Sequence, residues 1–399
     1  MEVSKIINQL SNKIRERAVA LVANTLPSPE DVDEVVEKLK RGKFIDYQAY
    51  RDIGNESPPS LQQFFCTSNF LLFPRSELGE INTSDFIDFI RKTVDIEHIG
   101  AELTKFSRGK TSSVYFDLSE MELGAFLYSQ VRSLINNKIQ FELIRFYMSA
   151  VCRRFFFVLE SKNSGTISTR KLLQSSLLED FLVMKRGLVS DLAGNAGANA
   201  NDDSAIQAGT LSWFYPDTLM DIYYDFYKLD KDKNGTLSID ELAEFQGTKK
   251  FSISFTRIAL ERIFEVHVCN NQSSEMDFKG FVDLVLAIDN PKTKESHKYF
   301  WKALNFETSE RLTSKSITYF YTEIVFGLEQ LNYACPKVDD VIVEIFDMLA
   351  CNPGEGGGAT IDQIIVSGQG DIALIMLLDI NSFWRYDNRE QLMQQVENK

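Results

Sequence analysis

Twelve consecutive residues, Asp230-Lys-Asp-Lys-Asn-Gly-Thr-Leu-Ser-Ile-Asp-Glu241, carry the clearest chemistry in the chain. Ca²⁺ is a hard ion that takes several oxygen ligands, and an EF-hand loop offers them from positions 1, 3, 5, 7, 9 and 12 around a glycine at position 6. Those positions hold Asp230, Asp232, Asn234, the Thr236 carbonyl, Ser238 (through water) and Glu241, with Gly235 at the bend. Leu237 at position 8 is apolar, as a short strand that pairs with a second hand requires. The competing reading is a solvated acidic turn between two helices. It needs the ligand spacing, the glycine and the helical flanks to coincide by chance.

The elements that must position this loop are helical. Leu219, Ile222, Tyr223, Phe226, Tyr227 and Leu229 recur at helical spacing before it, and Ile239, Leu242 and Phe245 after it. Other stretches have the outline of a hand without its ligands. In Glu160 to Lys171, Gly165 and Ile167 keep positions 6 and 8, but Lys162 and Lys171 fill positions 3 and 12, where a cation repels the ion. The hand whose strand is Glu275-Met276-Asp277 puts Cys269 at position 1 and Gly280 at position 12, so it is expected to pair without binding. Asn305 to Ser316 keeps oxygens at positions 1, 3 and 5, but Glu310 replaces the glycine and Ser316 the bidentate acid, so weak or no calcium binding is expected there. After a glycine loop at Asn352 to Gly358, a fourth ligand-poor outline ends the fold over Ile361 to Leu378.

Composition excludes several function classes. The chain has 399 residues, 44% of them apolar and 12% aromatic, which is ample for two or three compact units. A net charge of −14 disfavours nucleic acid and anionic membranes, both of which call for clustered Lys and Arg. No apolar run reaches the roughly 18 residues of a membrane span. The start, Met1-Glu-Val-Ser-Lys5, lacks a signal-peptide layout, so a cytoplasmic or nuclear location is expected. Cys66, Cys152, Cys269, Cys335 and Cys351 are scattered, with neither a zinc pair nor a disulfide framework. His98, His267 and His297 stand apart from one another and from any nucleophile motif, and no phosphate loop follows a strand. The chain therefore reads as noncatalytic.

In chain order, Val3, Ile6, Ile7, Leu10, Ile14 and Leu21 form one stripe of an N-terminal helix over Glu2 to Asn24, able to dock on a partner or on its own protein. Asp31 to Arg41 is a second helix, and Thr83-Ser84-Asp85 caps a third. Leu118 to Leu159 is strongly helical, with Ser119 as a cap and Leu172 to Val183 as a following exit helix; Ile253 to Val268 and Val338 to Leu349 are also helical. Gly187 to Gly209 is rich in Gly, Asn and Ala and reads as a flexible linker. The expectation is an all-α, elongated helical protein built of paired EF-hands with very short loop strands. Its parts are a helical N-terminal region (1–105), a degenerate EF-hand module (106–186), the linker (187–210), an EF-hand pair with the calcium loop (211–290), and a second, degenerate pair with a C-terminal tail (291–399).

A family resemblance sits on longer motifs. Trp213-Phe214, then Leu229-Asp-Lys-Asp232, Glu275-Met-Asp-Phe-Lys279, Phe281-Val-Asp-Leu-Val-Leu-Ala-Ile-Asp-Asn290, Tyr319-Phe-Tyr321, Gln369-Gly-Asp371 and Asp379-Ile-Asn-Ser-Phe-Trp384-Arg-Tyr-Asp-Asn-Arg-Glu390 resemble the B'' class of protein phosphatase 2A regulatory subunits. The gamma-type and plant cortical-microtubule members are most similar, over about residues 140–390. The resemblance implies a noncatalytic subunit made of EF-hand pairs that binds the HEAT-repeat scaffold subunit and, through it, the catalytic Ser/Thr phosphatase. The family typically has two calcium loops: Asp230, Asp232, Asn234, Ser238 and Glu241 match the first, whereas Asn305 to Ser316 matches the second in position without its ligands. The resemblance also implies partners and addresses at microtubules, centrosomes or basal bodies. The alternative function is a calcium-responsive cytoskeletal, basal-body or ciliary adaptor with no phosphatase attached.

Overall fold

The structure is a computed structural model that describes residues 25–106, 115–136, 138–160, 164–192, 211–268, 274–305, 307, 310–351 and 357–397. The chain divides into two compact units, Met1–Ile135 with Leu159–Ser212, and Asn136–Val158 with Trp213–Lys399. Both are helical, and the sheets among the described residues are two-stranded and antiparallel, as the all-α expectation required.

One small device recurs in both units. Each hand offers a single buried apolar residue to its partner: Ile45 opposite Ile81 and Leu118 opposite Ile167 in the first unit, Leu237 opposite Met276 and Leu312 opposite Ala359 in the second. All eight are at most 7% exposed. Two residues before this position, in five of the eight hands, the chain turns sharply and the backbone takes the left-handed conformation that favours glycine. The φ values are 78° at Gly79, 68° at Gly165, 86° at Gly235 and 78° at Gly357, and Glu310 holds the same bend at 56°. One residue after the apolar position, a side chain caps the outgoing helix by accepting from a main-chain N–H. Asp46, Asn82, Ser119, Ser238, Asp277, Thr313 and Thr360 all do this. Pairing, bend and cap thus survive where metal ligands do not.

In the first unit, Ser28 caps Pro29–Leu39, and Val32, Val35, Val36 and Leu39 pack with Tyr50, Phe64, Phe65, Phe70 and Phe86. The helix expected to start at the Thr83 cluster runs Thr83–Leu103 and is capped by Asn82. The segment read as purely helical therefore holds a hand pair, Phe44–Ile45 against Ile81–Asn82. Ser119 ends a strand, Asp117–Ser119, rather than simply starting a helix, and Glu120–Ile135 follows. The helix Ser176–Leu192 extends into the supposed linker as far as Leu192, because Leu177, Leu178, Phe181, Leu182, Met184 and Leu188 give it a buried face. The expected helix Glu2–Asn24 and residues 193–209 of the linker lie outside the described residues.

In the second unit, Trp213 is 1% exposed and its indole N–H donates to Asp289 at 3.4 Å. The Arg153 guanidinium grips Asp283 with both ends of its fork, and Tyr147 donates to the Phe214 carbonyl at 2.8 Å. The shared motifs around Trp213 and Phe281–Asn290 are thus tied to each other and to the helix Ile144–Leu159.

Candidate metal centre

The helix Pro216–Leu229 leads into the first candidate ligand. Proline at its first position presets the backbone, and Leu219, Ile222, Phe226 and Leu229 form its buried face. Asp230 closes it, donating its N–H to the Phe226 carbonyl at 3.0 Å. The loop then wraps on its own side chains. Asp230 Oδ2 accepts from Gly235 N–H at 3.0 Å, Asp232 Oδ1 from Asn234 N–H at 3.0 Å, and Asn234 Oδ1 from Thr236 N–H at 2.7 Å. These three turns curl the chain around a centre. Ser238 and Glu241 finish it with a reciprocal capping box, in which Glu241 Oε2 accepts from Ser238 N–H at 2.9 Å and Ser238 Oγ accepts from Glu241 N–H at 3.3 Å.

Carboxylate oxygens of Asp230, Asp232 and Glu241 come within 4.8 Å of one another. Hydrogen bonds to the Glu241 carboxylate, first from the Ser238 backbone and hydroxyl and then from Lys231 N–H, hold its pKa down at about 2 and so keep it ionised. Neither loop lysine turns inward to neutralise the cluster. Lys231 pairs with Glu244, and Lys233 lies over the Tyr227 ring at 3.7 Å while donating to the Tyr227 carbonyl. Asp230 is 4% exposed, and its Oδ1 is buried with no hydrogen-bond partner among the described residues. A buried, unpartnered carboxylate oxygen is costly unless something cationic meets it. A hard divalent ion fits this donor set, with Asn234 and the Thr236 carbonyl in the same loop and Ser238 engaged as the cap.

The structure thus gathers Asp230, Asp232, Asn234, Thr236, Ser238 and Glu241 into one loop. The degenerate hands keep its form without its full set of acidic ligands. Glu160 accepts from Gly165 N–H at 2.6 Å, as Asp230 does from Gly235, and Thr360 and Gln363 reproduce the Ser238–Glu241 box with an uncharged partner. One contact escapes any reading of the loop sequence. Glu275, on the paired hand, accepts from Asn234 Nδ2 at 3.0 Å and from the Thr236 hydroxyl at 2.5 Å. The ladder Leu237↔Met276 brings it there, a cross-strand relation that the loop motif alone does not contain.

The outgoing helix differs from the expectation. It is one turn, Ile239–Leu242, because the chain reverses at Gly247, whose φ is 96° and whose missing Cβ leaves room for the Phe251 carbonyl. The next helix, Arg257–His267, begins at the Thr256 cap instead of Ile253. The closing motif braces this reversal. Asp379, fully buried, accepts from Ser254 N–H and, at 2.7 Å, from Ser382 N–H, and Arg385 donates to the Ser252 carbonyl at 2.7 Å. A cavity of about 340 Å³ lies beside it, walled by Phe251, Ile253, Ile288, Ile372 and Ile375 with Asp371 and Arg385.

No family model matches the chain. It is 26% identical over 370 residues to the mouse gamma-type B'' regulatory subunit of serine/threonine-protein phosphatase 2A, covering 91% of this chain and 74% of that protein. The human protein of the same name is 26% identical over 88% of this chain and 72% of its own length. The probable B'' regulatory protein TON2 of Arabidopsis thaliana is 27% identical over 90% of this chain and 72% of its own. A solved chain of a PP2A PR70 holoenzyme shares the fold with a TM-score of 0.55 at 17% identity, covering 71% of this chain and 98% of that one. The chain is a homologue of the B'' regulatory subunits, and relatives named as regulators give it a noncatalytic role.

Proposed function

We propose that this homologue of the B'' subunits is a calcium-binding regulatory subunit of a protein phosphatase 2A holoenzyme, joining the scaffold and catalytic subunits and directing substrate choice or location. The observation that carries the reading is similarity to the gamma-type B'' protein running through 91% of the chain. The calcium part rests on the buried, unpartnered Asp230 Oδ1 inside a cluster of carboxylates.

Bound Ca²⁺ would supply positive charge to three carboxylates. The protein's own part is geometric. Asp230 ends one helix and Glu241 lies in the first turn of the next, so holding these two side chains together holds the two elements at one angle. Phe226, Phe281 and Phe245 pack in series at 5.6 and 5.2 Å between ring centres, which passes that angle to the paired hand. The test is affinity purification of the tagged full chain from its own cells, in calcium and in chelator, followed by mass spectrometry. Scaffold and catalytic subunits of the phosphatase are expected in the eluate. Their absence in both buffers, with the chain intact, refutes the reading.

A further inference from the structure

We infer that Glu275, on a hand with no ligand set of its own, is a positioning residue for the calcium loop of the hand it pairs with; the inference rests on the calcium reading above. Position 5 of that loop is Asn234, and an amide presents oxygen at one end and NH₂ at the other with nearly the same shape. Only the oxygen can face a cation. Which end points where is set by the hydrogen bonds around it.

Those bonds leave one choice. Asn234 Nδ2 donates to Asp232 Oδ2 and Glu275 Oε2, each at 3.0 Å, while Oδ1 accepts from the Thr236 N–H at 2.7 Å. A flipped amide would set its oxygen against two carboxylates and its NH₂ against an N–H donor. Glu275 also accepts from the Thr236 hydroxyl, at position 7, so one carboxylate holds two consecutive ligand positions. It stands outside the cluster of Asp230, Asp232 and Glu241, and therefore acts through Asn234 and Thr236. A position 5 aspartate would have no NH₂ to offer it. Asn234 and Glu275 are thus a matched pair across the ladder.

Calorimetric titration of CaCl₂ into the full chain, native, Glu275→Ala and Glu275→Gln, tests this. Loss of an outer partner of a metal ligand weakens binding by about 10- to 100-fold, and that is expected for Glu275→Ala. Glutamine keeps an acceptor oxygen, so Glu275→Gln should bind within about threefold of native. Luminescence decay of bound Eu³⁺ in H₂O and D₂O counts coordinated water. Glu275→Ala should gain a water where Asn234 lets go, and Glu275→Gln should not; a loss of packing alone does not produce that pattern. Should Glu275→Ala fail to melt cooperatively in chelator, Glu275→Ser takes its place in both measurements. An alanine variant that binds like native, or a glutamine variant as weak as alanine, overturns the inference. A native chain that takes up no calcium removes the underlying reading and this inference with it, whereas native binding with an unmoved alanine variant removes this inference alone.

Discussion

Glu241→Gln separates the two jobs of the twelfth loop residue. Glu241 is the partner of Ser238 in the helix cap and, in the proposed reading, also the acidic ligand. The protein contains its own control for the second job, since Gln363 makes the same box with Thr360, its Oε1 accepting from Thr360 N–H at 2.9 Å and the hydroxyl at 3.1 Å. Glutamine at 241 should therefore keep the cap and weaken only the bonds from the backbone N–H groups of Lys231, now 2.9 Å from Glu241 Oε1, and Asp232, a cost of about 1–2 kcal/mol without calcium. Alanine loses the cap as well, adding roughly 0.5–2 kcal/mol. With calcium at a hundred times its dissociation constant, the native protein gains about 2.7 kcal/mol, and a hundredfold weaker variant gains only about 0.4 kcal/mol. At about 2–4 °C per kcal/mol, the calcium-induced rise in melting temperature should be roughly 5–10 °C in the native chain and about 1 °C in Glu241→Gln. Scanning calorimetry in calcium and in chelator reads both numbers. A glutamine variant that keeps the native rise refutes the ligand assignment, whatever its stability in chelator.

Glu310 holds a left-handed backbone at φ 56°, which costs a non-glycine residue about 1–2 kcal/mol, partly offset by the extra chain freedom glycine loses on folding. Glu310→Gly should raise the melting temperature by about 2 °C, and a fall would show that the side chain stabilises the fold through other contacts. Asp379→Ala removes a buried acceptor that two main-chain N–H groups, of Ser254 and Ser382, share, and should cost about 2–4 kcal/mol in denaturant titration; a loss below about 1 kcal/mol contradicts the bracing role. Burial pushes His267 down to about 4, with its ring stacked on Tyr299 at 3.8 Å. A depressed folded pKa means the unfolded chain takes the proton first, so stability is full above about 6.5 and is lost as pH falls toward 4. The loss should be up to about 2 kcal/mol between pH 7 and pH 5. His267→Gln should flatten that slope in urea unfolding curves, and an unchanged slope would falsify the assignment.

The loop Asp230 to Glu241 was legible as a candidate metal site because everything that defines it is local: six oxygen-bearing positions, one bend and an apolar residue within twelve positions. The four hand pairs were legible only in part. Gly79-Glu-Ile81 repeats the spacing of Gly165-Thr-Ile167 and Gly235-Thr-Leu237, and that shared signal marks the hand missed near the N-terminus; its partner residue, Ile45, follows no glycine at the matching position and could be found only through the ladder. Helix ends were the weakest part. Gly187 suggested a break, but the apolar positions from Leu177 to Leu188 bury enough surface to carry the helix on to Leu192. Beyond Leu242 the helical spacing of Phe245 is real, yet Phe245 is needed against Phe281 and the chain turns back for it. Glu275 was invisible for a different reason: its role depends on which strand lies opposite, and no stretch of sequence states that.

A one-turn helix after the loop gives this hand almost no lever arm. A long outgoing helix could turn a small tilt at the ion into a wide swing at its far end, but Ile239–Leu242 stops where the swing would begin. If calcium fills such a loop as proposed, it should change how firmly the neighbours are held far more than where they stand, and a partner protein would sense the ion as rigidity rather than as displacement.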